Sequence, residues 1–315
     1  MRKPVMILTL FFLTACGLFG SSDEDDGPPR TIVFSAQDDD GIFQIYKMRE
    51  DGSGVKRLTD GDYASIQPAW SPDGDRIAYT CSFGSTGGEE LWVMAADGSN
   101  KQPLITNSRT GSPQRGNHPA WSPNGNKLAF DRCLNCEQGG KNFEIFVADL
   151  QAGVTDTLTS HSVGDSHPTW SPDGEQIAFA SNRDYFDADT LQFRTDLYMI
   201  DSDGKNLTRT TDTGKITIPK WGPDGKYVAY SWQHQNPNIY LFDVESKKII
   251  KLTNLKFVGV PMWNHNGSQL LIPGTTNEGI YVLQLISTEK KLLKETELDF
   301  KDLKSARNFD WYNRQ

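Results

Sequence analysis

Histidine and cysteine are sparse in this chain, with five and four among 315 residues. A small disulfide-stapled scaffold would need far more cysteine, and zinc-ligand spacings are missing. Basic residues do not predominate: 32 Lys and Arg face 41 Asp and Glu, a formal charge of −9. That balance argues against nucleic acid as a partner, which needs a basic face. There is no Gly-x-Ser-x-Gly elbow; Gly164-Asp165-Ser166-His167 comes nearest and lacks the last glycine. No glycine loop follows a strand to cradle phosphate, and no twelve-residue calcium loop is present. Carboxylates are many, but their pairing is not fixed by sequence, so a glycosidase stays open. These absences weigh against catalysis without closing the question, and no cofactor is expected.

What the chain has is a repeated phrase. Trp70-Ser71-Pro72-Asp73-Gly74 returns at Trp121–Gly125, Trp170–Gly174 and Trp221–Gly225, with a worn copy at Trp263–Gly267. Trp311-Tyr312 is a last fragment without a turn. Such a period means stacked or radial units. Ser at i, Pro at i+1 and Gly at i+3 suit a type I turn, because proline presets φ. Each phrase therefore reads as a hairpin turn with its Trp closing the entering strand. Apolar triplets follow: Ile77-Ala78-Tyr79, Leu128-Ala129-Phe130, Ile177-Ala178-Phe179 and Val228-Ala229-Tyr230. Continuous apolar runs suit strands covered on both faces. A second strand (Leu91-Trp92-Val93, Leu197-Tyr198-Met199) and a polar outer strand (Arg57-Leu58-Thr59, Lys251-Leu252-Thr253) complete each unit.

Four strands per unit, repeated radially, make an all-β, six-bladed β-propeller of antiparallel blades. We label the strands A, ending at Trp, then B, C and D. The chain enters at strand B of one blade. The C-terminal strand at about 308–312 should therefore supply strand A to the strands at about 31–59. The turn phrase followed by Ile-Ala-Phe resembles the TolB-like β-propeller repeat, over nearly all of residues 31–312. The resemblance implies a propeller domain over 31–315. TolB proper carries an α/β domain ahead of its propeller; residues 16–30 stand in its place here, so a different member of the family is expected.

Arg2 and Lys3, an apolar run to Phe12 and Leu13-Thr14-Ala15-Cys16 describe a secretory signal over 1–15, and the last four residues resemble a bacterial lipobox. The run is too short to span a bilayer as a mature helix. Cys16 would carry the lipid, and residues 16–30, with Asp23-Glu24-Asp25-Asp26 and two prolines, form a disordered acidic tether. The expected place is the bacterial envelope, anchored in the outer membrane on its periplasmic side or at the cell surface, as a monomer.

Alternating strand direction puts the tight A–B and C–D turns on one face and the long B–C and D–A loops on the other. Function is expected on the long-loop face. Three residues before each Trp stand Gln67, His118, His167, Ile218, Val260 and Asn308, a ring at the channel mouth that is polar on one arc. Gln67, His118, His167 and Asn308 are binding candidates; Gln67, His118 and His167 could also hold a metal, although no carboxylate joins them in the ring. Some sugar lyases with related propellers use such a pocket. Arg183, Tyr185, Phe186, Trp232 and His234 supply interface-type residues on two loops. Alternatively they pack over the loop base. Cys133 and Cys136 are candidates for a local disulfide, with Cys81 a rival partner. The resulting expectation is a lipid-anchored, non-catalytic binding scaffold for an envelope protein or polysaccharide. The alternative is a metal-assisted polysaccharide lyase or glycosidase at the mouth around His118 and His167.

Overall fold

The computed structural model describes residues 31–312, except for 84–87, 105–113, 136–141, 163, 185, 188–191, 215, 233–237, 254–258, 276–280, 291 and 298–303. Residues 1–30, on which the expected signal segment, lipidated Cys16 and tether fall, lie outside the described residues. Six four-stranded antiparallel sheets form a ring, each in the order A–B–C–D. No helix occurs among the described residues. The fold is the six-bladed β-propeller expected from the repeats. Blade 1 joins strand A from the C-terminus (Lys304–Tyr312) to strands B (Thr31–Gln37) and C (Phe43–Arg49), with Trp311 opposite Ile32.

The turn phrase builds as its residues dictate. Gly74 N–H donates to Ser71 O at 2.9 Å, and Ser71 Oγ reaches both Asp73 and Arg76 O. Gly74 has φ of 72°, a left-handed conformation that glycine adopts at little cost. The Tyr312 ring lies where a Gly74 Cβ would stand, and its hydroxyl donates to Asp73 O at 3.0 Å. Thus the last residue of the C-terminal strand seals the split blade onto the next blade's turn.

Tryptophan links neighbouring blades. The indole Nε1 of Trp121 donates to Ala69 O, Trp170 to Ala120 O and Trp263 to Lys220 O, at 2.9–3.2 Å. Each acceptor stands directly before the Trp of the preceding blade. Strand B is buried through its middle and half-buried at its start, with Phe34, Phe130 and Phe179 fully enclosed between sheets. The outer strand ends in a threonine lock: Thr59 bonds Gln44, Thr159 bonds Glu144 and Thr211 bonds Asp196, at 2.7–2.9 Å. These polar pairs are structural, and they account for two buried carboxyls, Glu144 and Asp196.

Candidate functional site at the channel mouth

Each of four A strands is broken three residues before its Trp. The register shifts between Ile66 and Ala69, Asn117 and Ala120, Ser166 and Thr169, and Thr217 and Lys220. The extra residue is left-handed: Gln67, His118, His167, Ile218 and, in the seam strand, Asn308 have φ between 33° and 56°. Such a bulge bends the strand and re-aims one side chain. Pro68, Pro119, Pro168 and Pro219 follow; lacking N–H, they suit a place where the ladder is interrupted. All five bulge residues line one cavity at the mouth, together with Val260 and Lys220.

The polar arc is bonded to itself. Gln67 Oε1 accepts from Thr80 Oγ1 at 2.9 Å and from the His118 N–H at 3.0 Å. That orients the amide so its Nε2 faces His118 Nε2 at 2.7 Å. His118 therefore carries its proton on Nδ1 and donates it to Asp131 Oδ2 at 2.8 Å. The same oxygen accepts the His167 N–H at 2.9 Å. The two imidazoles lie 3.7 Å apart between centroids, tilted by 35°. His167 is open to the channel but enclosed on its other sides; burial, then His118 and Lys220, hold its pKa well below the ordinary histidine value. Ser166 Oγ sits 3.0 Å from His167 Nδ1. This is not a catalytic triad, because Asp131 meets His167 only through its backbone N–H.

The expectation that no carboxylate joins the ring is corrected. Asp131 enters from strand B of blade 3 (Lys127–Cys133), directly after Leu128-Ala129-Phe130. The position is reused around the ring: Ser35 follows the blade 1 triplet and accepts Gln67 N–H at 3.2 Å, and Thr80 follows that of blade 2. Listing the residue after each apolar triplet would have found Asp131. Sequence reasoning also missed a lower ring, the residue before each Trp. There Lys220 and Asp310 line the channel among Ala69, Ala120, Thr169 and Met262. Asp310 Oδ2 accepts Trp70 N–H at 2.7 Å. Burial pushes the Asp310 carboxyl up, and Lys220 opposes that rise. Towards the short-turn face the channel widens into a cavity of about 380 Å³ edged by Trp70, Trp221, Trp263 and Trp311.

Of the loop candidates among the described residues, Arg183 and Trp232 do not line this cavity. Arg183 packs inward: it bonds Ser181 Oγ and the fully buried Asp165, and lies over the rings of Phe179 and Tyr198. Phe186 lies on a short hairpin strand paired with Phe193. Tyr185, His234 and Cys136 fall outside the described residues. Trp232 packs against Tyr240 at 5.7 Å. Cys133 is disulfide-bonded and Cys81 is a free buried thiol, so the rival Cys81 pairing does not occur.

Residues 30–188 match the family model of the TolB beta propeller domain. The Tol-Pal system protein TolB of Rhizorhabdus wittichii is 36% identical over 83 residues, 26% of this chain and 17% of that protein. TolB from Acinetobacter baumannii superimposes with a TM-score of 0.72 at 20% identity, covering 90% of this chain and 67% of the other. Oligogalacturonate lyase in complex with manganese gives 0.57 at 18% identity, covering 85% and 74%. At these identities the structural likeness shows the fold alone. Matched stretches amount to less than half the length of the curated relatives.

Proposed function

The chain belongs to the TolB β-propeller family, and from that membership we propose that it is a non-catalytic binding scaffold of the bacterial envelope, held to the outer membrane through lipidated Cys16. The partner is an envelope protein, docked on the long-loop face over the channel mouth. One observation carries this reading: Gln67, His118 and Asp131 orient one another and the backbone of the next blade, so the mouth is preformed. Preorganised polar groups on a rigid ring lower the ordering cost of association. The apolar arc of Ile218 and Val260 gives the same mouth a hydrophobic side.

The test is crosslinking from detergent-solubilised envelopes with the full chain. A partner is expected to crosslink at residues of the mouth, and Gln67→Ala with His118→Ala should abolish its capture. Capture that survives the double variant removes the mouth from the reading. Cys16→Ala should move the chain to the soluble fraction; continued membrane association would overturn the anchor.

A second reading, a polysaccharide lyase or glycosidase, draws support from the His118–Asp131 contact at the mouth and from the lyase among the fold neighbours. Incubation with polyuronides distinguishes it: a new unsaturated or reducing sugar end, lost in His118→Ala, would favour the enzyme over the scaffold.

A further inference from the structure

The cluster at the mouth has a property that partner docking does not require. Asp131 is fully buried, and its Oδ1 has no hydrogen-bond partner among the described residues. A buried acceptor left without a donor is normally explained by an ion or a water. Close by stand two imidazoles. One ligand atom each from His118, Asp131 and His167 lie within 4.8 Å of one another. We propose that these three residues hold one divalent first-row transition cation at the channel mouth, with Gln67 at its edge.

The donor set selects the class. Two imidazole nitrogens and one carboxylate suit zinc, manganese, cobalt or nickel. Calcium and magnesium prefer six or more oxygens, which the mouth does not offer. Bond lengths of roughly 2.0–2.2 Å put ligand atoms about 3–3.5 Å apart, so closing the set needs an inward shift of about 1 Å. Side-chain rotation can supply it without moving the sheets. The three residues come from strand A of blade 3 (Asn117–Trp121), strand B of blade 3 and strand A of blade 4 (Asp165–Trp170), all fixed by the ring. The mouth cavity of about 40 Å³ has room for an ion and a water. An ion shared with Asp131 would engage His118 Nδ1, the nitrogen that now faces that carboxylate, and the ring proton would move to Nε2 beside Gln67. The inference stands on this geometry and not on the identity of any partner.

The experiment uses the full chain in detergent, stripped with chelator and titrated with zinc and with cobalt by calorimetry and visible absorption. Uptake of one ion per chain is expected, with a cobalt spectrum of mixed nitrogen and oxygen ligation. His118→Ala with His167→Ala should weaken binding about 100-fold or more, and Asp131→Asn about 10–100-fold. His265→Ala, on the short-turn side, should leave it unchanged. Because a buried variant can fail to fold, thermal unfolding is read as well. Zinc should raise the midpoint of the wild-type chain reversibly and leave that of the double variant unmoved. Absence of stoichiometric uptake, or wild-type affinity in the double variant, overturns the site. A chain that takes up no ion yet captures a partner at its mouth refutes the cation and leaves the scaffold reading standing.

Discussion

The two arcs of the channel mouth share one backbone and differ in chemistry. Gln67, His118 and His167 on one side and Ile218 on the other occupy the same left-handed bulge, each followed by proline. On the polar arc, the N–H of the bulge residue finds an acceptor in the neighbouring blade: Ser35 for Gln67, Gln67 for His118, and Asp131 for His167. For Ile218 the residue corresponding to Asp131 is Ala180, which has no side-chain acceptor to offer. The bulge is therefore a property of the scaffold, and the polar links are a property of particular residues placed on it. A site built this way can be moved around the ring by substitution alone, so its restriction to one arc is informative.

Removing Asp131 should break that contrast most strongly. Asp131→Ala deprives His118 Nδ1 and His167 N–H of their shared acceptor in a buried place. Each buried donor left unpaired costs about 1–3 kcal/mol. Loss of about 2–4 kcal/mol is expected in urea unfolding. The corresponding change in blade 1, Ser35→Ala, removes one bond and should cost about 1 kcal/mol. Equal losses at the two positions would mean that Asp131 is not the hub of the arc.

The fold was legible because its signals are local and repeated. A type I turn depends on the four residues that form it, so Ser-Pro-Asp-Gly could be read blade by blade, and Trp311 could be assigned to the split blade by its spacing. The purpose of the tryptophans was not legible. Their indole bonds cross to the previous blade, and only the closed ring shows which carbonyl each one meets. The site was half legible for the same reason. His118 and His167 are equivalent in phase and were found by counting from Trp. Asp131 lies on another strand, and its approach depends on a bulge that the sequence does not announce. Arg183 looked like an interface residue because its buried partner, Asp165, is separated from it by a whole hairpin.

Acidification should separate the arcs more gently. His167 has a folded-state pKa well below its ordinary value, chiefly through burial. The unfolded chain then binds a proton that the folded chain refuses, so stability falls as pH drops below about 6.5. The limiting slope is about 1.4 kcal/mol per pH unit, down to the folded pKa. Asp310 works in the opposite sense, since its raised pKa favours the folded state as it protonates at lower pH. In chelator-containing buffer between pH 7 and pH 5, the histidine effect should dominate. His167→Asn should flatten the profile, and an unchanged slope would assign the acid sensitivity elsewhere.

The smallest expected effect has the opposite sign. Ile218 holds φ of 33°, where a β-branched side chain is rarely tolerated. Left-handed backbone costs an ordinary residue roughly 1–2 kcal/mol, and asparagine bears it better through local hydrogen bonds. Ile218 lines the mouth and is only partly buried, so replacing it forfeits little packing. Ile218→Asn should therefore stabilise the ring by about 1 kcal/mol, measured by urea unfolding. If the apolar arc serves the partner, the same variant should weaken capture while it stabilises the fold. A gain in stability with undiminished capture would show that the polar arc suffices, and a loss of stability would show that Ile218 packs more tightly than its exposure implies.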